Sequence, residues 1–207
     1  LWFSSDYVAG GPPKFSAQVL QAYFAIAVFM TMAAGVLIAM RLFAEEKQLG
    51  TLTLLLTSPI REREIVAGKF LSAFIFASGI TVATLYMPLL IMVNGKVGIG
   101  HIAGAYFGLL LVGGLALAVG MFASAISPNQ IIAAVGGTAI MVVIYWCFKG
   151  ASVTEPPIRD ILAYISIHKH QSWQHGILNT RDIFYYLSTT YLFLLMTTHA
   201  LQARRWR

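Results

Sequence analysis

The chain has 207 residues, 58% of them hydrophobic and only 11% charged, with a formal net charge of +6. A soluble domain carries about 25% charged residues, so an ordinary water-soluble globule is excluded and the chain falls in the membrane class. A nucleic-acid surface is also excluded as the meaning of the positive charge. The densest basic cluster, Arg204, Arg205 and Arg207, directly follows an apolar run, where such residues anchor a span on the inner side.

A helix needs about 20 apolar residues to cross the hydrocarbon of a bilayer. Taken in chain order, the apolar runs predict spans over residues 20–40, 70–93, 103–126, 131–148 and 183–201. Each run is apolar on every face, whereas a barrel strand alternates apolar and polar residues. Backbone groups in lipid must be satisfied within the span, so the prediction is an all-α, polytopic helical membrane protein with five visible spans. Trp2, Phe3 and Tyr7 read as the interfacial end of a preceding span, and no basic leader precedes them, so the chain is expected to begin inside a longer protein.

Orientation follows from the Lys and Arg counts. With residues 41–69 inside, that side holds eight (Arg41, Lys47, Arg61, Arg63, Lys69, Arg204, Arg205, Arg207) and the other six (Lys14, Lys96, Lys149, Arg159, Lys169, Arg181). The inner charges crowd the span ends, where the rule acts most strongly. Residues 94–101 form a Gly-rich outer turn, and Ser127-Pro128-Asn129-Gln130 a tight inner one. The outer segment 149–181 contains Glu155-Pro156-Pro157, suited to a first helical turn. Ile158, Ile161, Leu162 and Ile165 then recur on one face, which predicts a short interfacial helix. Tyr145, Trp146, Tyr185 and Tyr186 read as an aromatic belt. The single Cys147 permits no disulfide within the chain and reads as a packing residue.

No charged residue sits near the middle of a span, as ion-coupled transporters usually require. His199 has no carboxylate beside it, so no catalytic constellation is visible and the chain is not expected to be an enzyme. Gly68-Lys69 and Gly95-Lys96 lack both the upstream glycine and the following hydroxyl of the G-x-x-x-x-G-K-[ST] loop. No cofactor is expected on this chain, and any ATP-driven work must come from another subunit.

The loop between the first two spans is the most informative stretch. Gly50 is placed as a helix terminator and Thr51 as the cap of a short helix over residues 51–58. Ser58 and Pro59 are expected to start the second span's helix. Leu52, Leu55 and Leu56 share one face of the short helix, with Glu45, Glu46, Arg61 and Glu62 at its rim. Such a face fits either a groove on a partner protein, with the charges fixing register, or the inner headgroup layer.

The run Glu45-Glu46-x-x-x-Gly50-Thr51-Leu52-x-x-Leu55-Leu56-x-Ser58-Pro59, followed by Glu64-Ile65-Val66-x-Gly68-Lys69-Phe70, resembles the signature of ABC-2 type permeases, nearest to the gliding-motility-associated branch. Ser127 with Asn129-Gln130-Ile131, Arg181-Asp182 and the Arg204-Arg205-Trp206-Arg207 ending are similar to the same branch. The resemblance implies six spans, of which the first is missing here, and a second permease subunit as partner. It also implies two ABC ATPase subunits, which hold the ATP and Mg, and makes the loop the coupling helix that receives their stroke. Glu64, Gly68 and Lys69 form the entry to the second span's helix. The function implied is that of the permease subunit of an ATP-driven exporter in the bacterial inner membrane, acting on an unidentified substrate. The alternative is a non-transporting scaffold or mechanotransmitter that acts on a periplasmic or outer-side accessory protein.

His168, His170 and His175 form a His-x-His-x4-His pattern of zinc- or copper-binding type, but no fourth ligand accompanies them, and no metal is expected. Gly104 and Gly108 make a G-x-x-x-G, and Gly136-Gly137 lie in the fourth span; both permit close helix approach, within the subunit by default.

Overall fold

The computed structural model describes residues 16–52, 54, 60–94, 99–151, 167 and 179–205. The helices are α1 (Ser16–Ala39), α2 (Arg41–Gln48), α3 (Glu62–Ala83), α4 (Tyr86–Asn94), α5 (Ile99–Ile126), α6 (Gln130–Ala151) and α7 (Thr180–Arg205). No strand occurs among the described residues. Three stretches are long and apolar enough to cross a membrane: Ala22–Gln48, which joins α1 to α2, Glu62–Leu90, which joins α3 to most of α4, and Ile99–Ile126. The chain is a helical membrane protein. The fourth and fifth predicted runs fall on α6 and α7. The short helix predicted near residues 155–165 lies outside the described residues.

Helix α5 is the centre of the bundle and packs against α1, α2, α3, α6 and α7. Of its most apolar window 78% is buried inside the chain, against 17% for the α3–α4 stretch, so α5 faces protein and most of the α3–α4 surface is left uncovered by this chain. Small residues make this central packing possible. A methyl group built on Gly120 would lie 2.8 Å from Ala39 Cβ and 3.0 Å from Val36 Cα. One on Gly137 would lie 2.9 Å from Val36 Cγ1, and one on Gly35 would lie 2.7 Å from Ala116 Cβ. Helices α1, α5 and α6 therefore meet at backbone distance, which is how helices gain contact where lipid competes equally for apolar surface. Gly104 and Gly108 are also buried within the chain, so their motif is used inside the subunit.

Two apolar clusters divide the bundle along its length. One holds Ala39, Phe43, Leu52, Ile65, Val66, Met121 and Leu201, at the end that carries residues 40–61. This is called the elbow end. The other holds Leu20, Phe24, Tyr106, Ile144, Ile167 and Tyr186 at the far end. Ile167, from the long segment before α7, is fully buried there.

Two spans are broken. The α3–α4 break lies at Thr84–Leu85, four residues before Pro88, which has no N–H to give the Thr84 carbonyl and stands in the first turn of α4. That carbonyl instead takes the amide of Met87 at 3.3 Å and the Tyr23 hydroxyl at 3.5 Å. The second predicted run, residues 70–93, carries this break within it. The α1–α2 break at Met40 has a different cause, set out below.

Candidate functional site

The elbow begins where α1 ends. In a continuous helix the amide of Ala44 would bond the carbonyl of Met40. Here both groups bond a side chain from α5. The Ser124 hydroxyl accepts the amides of Phe43 (3.1 Å) and Ala44 (2.8 Å) and donates to the Met40 carbonyl at 2.8 Å. A side chain inserted into the helical ladder is one of the few causes of a helix break, and Ser124 is fully buried.

Lys47, in the last turn of α2, completes the join. Its ammonium donates to the carbonyls of Ser124 (3.2 Å), Ala125 and Ser127 (2.8 Å). These carbonyls lie at the C-terminus of α5, where helical partners run out and a cation is favoured by the helix dipole. On the other side, Lys69 of α3 donates to the Leu42 carbonyl at 2.9 Å and pairs with Glu46 at 2.5 Å. Its ammonium also sits 5.3 Å from the centre of the Phe43 ring.

Gly50 terminates the helix as expected from its position: it is the one residue with positive φ among the described ones (φ 72), and its amide bonds the Lys47 carbonyl at 3.2 Å. Thr51 stands directly before Leu52 and Leu54, both helical, as its capping position requires. Its hydroxyl turns back and donates to the Glu46 carbonyl at 3.3 Å, closing α2. Helix α3 starts at Glu62, not at Pro59: Arg61 is extended (φ −74, ψ 141), and its amide is taken by the Glu64 carboxylate at 3.3 Å. Ser58 and Pro59 themselves, with Leu55 and Leu56, lie outside the described residues.

The rim and groove assignments divide likewise. Leu52 was expected to face a partner but is 8% exposed and packs in the elbow-end cluster, so it fastens the loop to the bundle. Leu49 and Leu54 are the outward leucines, 70% and 73% exposed. Glu46, expected at the partner's rim, pairs with Lys69 of the chain itself. Glu45 remains half-buried, and Arg61, Arg63 and Glu64 are exposed. Gly68 is open, since a methyl group there would meet nothing within 4 Å. The turn into α6 is closed by the Asn129 side chain, which accepts the amide of Ile132 at 2.8 Å.

Sequence reasoning missed Ser124 and the internal roles of Lys47 and Lys69. Lys47 carried a usable signal, a cation in the last turn before a helix-ending glycine. Ser124, one hydroxyl in an apolar run, carried none.

No group of three or more His, Cys, Asp or Glu side chains that could hold a metal occurs among the described residues; His168, His170 and His175 lie outside them. Two grooves flank α1. One of about 340 Å³ lies between α1 and α3–α4 and is lined by Tyr23, Thr31, Thr81 and Thr84 among apolar side chains. The other, about 400 Å³, lies between α1 and α6 and is lined by Phe29, Leu37, Val142 and Trp146 among others. Neither is lined by a charged side chain.

The family described as ABC-2 family transporter protein matches residues 6–202, nearly the whole chain. The chain belongs to the ABC-2 transporter family. Its members supply the membrane subunit of an ABC transporter, and this ABC-2 chain is accordingly a multi-pass membrane subunit. The match covers the elbow and all seven helices except the last three residues of α7, without singling out a branch of the family. Comparison with curated proteins finds no match.

Proposed function

We propose that this chain is the permease subunit of an ATP-driven exporter of the bacterial inner membrane, paired with a second permease subunit and two ABC ATPase subunits that hold the ATP and Mg. The observation that carries the reading is the elbow itself. Two outward leucines, Leu49 and Leu54, lie on a segment that Leu52 fastens to the bundle, and Arg61, Arg63 and Glu64, which follow in the chain, are exposed. A fastened apolar tip with a charged rim is the form of a docking element, in which buried anchors supply affinity and charges supply register. Leu55, Leu56, Ser58 and Pro59 extend the same element by resemblance. The likeness of this loop to the gliding-motility-associated branch rests on its wording alone. The uncharged grooves beside α1 favour an apolar, lipid-linked or peptide-like load over a small ion.

Replacing both outward leucines (Leu49→Asp with Leu54→Asp) tests the reading. An apolar anchor lost from such a contact costs about 2 kcal/mol, about thirtyfold in affinity. The ATPase subunit is therefore expected to leave the complex on purification while the permease stays folded in the membrane. Full retention of the ATPase, with undiminished hydrolysis by the complex, would remove the docking element from the reading.

A further inference from the structure

We propose that Ser124 is the positioning residue that makes α5, rather than α1 or α3 alone, the element moved by a stroke delivered at the elbow. The proposal rests on the ATPase reading above and adds the route that the motion takes.

Helix α2 leaves the elbow tip with two neighbours to which it is tied by polar contacts, and the ties are unequal. Toward α3 the polar contacts run through one ammonium, Lys69, to Glu46 and the Leu42 carbonyl. Toward α5 they use both ends of α2. The Ser124 hydroxyl takes two amides of its first turn and gives its proton to the carbonyl of Met40. The Lys47 ammonium of its last turn holds three carbonyls at the end of α5. A serine hydroxyl has one proton and two lone pairs, so Ser124 is saturated by these three bonds and has no cheaper arrangement when α2 shifts. Two fastening points, one at each end of a helix of eight residues, fix its orientation as well as its position. Helix α2 and the inner end of α5 therefore move as one body.

The same hydroxyl decides what α1 does. By standing between the Ala44 amide and the Met40 carbonyl it interrupts the ladder, so α1 and α2 meet at a joint instead of forming one rod. Displacement of α2 is thereby relieved at Met40 and delivered to α5, which touches every other long helix of the bundle. Helix α5 then carries it to the far end, where Tyr106 meets Tyr23 and Thr84 at 3.1 Å each.

The test uses the intact permease–ATPase complex in lipid nanodiscs, with the single native cysteine removed (Cys147→Ser) and a reporter cysteine placed at the far end of α5 (Ile99→Cys, where the native side chain is exposed). The rate of reporter modification by a water-soluble maleimide is compared without nucleotide and after trapping with ATP and vanadate. Trapping is expected to change the rate about fivefold or more in the parent, the lower end of ordinary coupling between sites. In Ser124→Ala that change is expected to vanish, while the nucleotide-free rate and the amount of bound ATPase stay at the parent's level, which a merely structural role would not leave intact. Lys47→Met is expected to behave like Ser124→Ala, and Lys69→Met like the parent. An equal response in Ser124→Ala and the parent overturns the route and leaves the ATPase reading standing. No response in the parent, with ATPase bound, overturns the ATPase drive itself. Should Ser124→Ala fail to assemble, Lys47→Met decides; failure of both to assemble also overturns the proposal, because the tie would then serve folding instead of transmission.

Discussion

The two ends of the bundle are held by different chemistry. At the elbow end, charged donors and a saturated serine bond the backbone of broken or ending helices. At the far end, three hydroxyls meet at 3.1 Å, with a further contact from Tyr23 to the Thr84 carbonyl at 3.5 Å, beside an edge-to-face pair of Phe24 and Tyr106. Charge-assisted bonds to otherwise unpaired carbonyls are strong and hard to exchange. Hydroxyl pairs, in which either oxygen can donate, exchange partners readily. The difference teaches that the elbow end is built to keep one geometry, and the far end to tolerate several. Between them, the glycine contacts of α1, α5 and α6 allow little give.

The comparison breaks first at those glycines. Gly120→Val adds bulk where a single methyl already meets Ala39 Cβ at 2.8 Å and Val36 Cα at 3.0 Å, and the second of these is backbone that cannot swing aside. A loss of about 3 kcal/mol is expected, the upper end of ordinary overpacking. Thermal unfolding in detergent checks it, with Gly68→Val, which has open space, as the control that stays folded.

Next comes the ion pair. Lys69 and Glu46 are about a quarter exposed (23% and 26%), so solvent screens the pair and Lys69→Met is expected to cost about 1 kcal/mol. The deficit should shrink when parent and variant are compared in high salt, since the parent alone has the pair to lose. A deficit independent of salt would assign the loss to the Leu42 carbonyl bond instead.

The smallest effect is expected at the far end. Tyr106→Phe removes the hydroxyl between Tyr23 and Thr84, which keep their contacts to the Thr84 and Thr81 carbonyls, and should cost about 0.5 kcal/mol. A loss as large as that of Lys69→Met would show the far end to be as firmly built as the elbow, and the contrast drawn above would fail.

Much of the fold was legible because lipid removes choices. An apolar run of span length has to satisfy its own backbone, and only a helix does so with one segment. The turn around Asn129 and the stop at Gly50 were legible because their residue types suit those conformations. Pro88 was legible in principle, as an imino acid inside an apolar run, yet the span was read through it. The elbow was legible as a loop, but its internal contacts were not. Leu52 and Glu46 were placed toward a partner on spacing and resemblance, and in the packed chain Leu52 joins the cluster of Phe43 and Ile65 while Glu46 pairs with Lys69.

What the sequence by itself determined is the class of the molecule, the places where helices must run, and the loop that stands out from them. Those features depend on neighbours within a turn or on composition over a span, and both are written locally. Which face of α1 or α5 is buried was decided only by the tertiary structure, because runs apolar on every face have no amphipathic side to read. The same holds for Ser124, whose partners on the elbow lie some eighty residues away in the chain (|i−j| of 80 and 81). A hydroxyl acquires its role there from the broken ladder it meets, and that meeting exists only once the helices have packed.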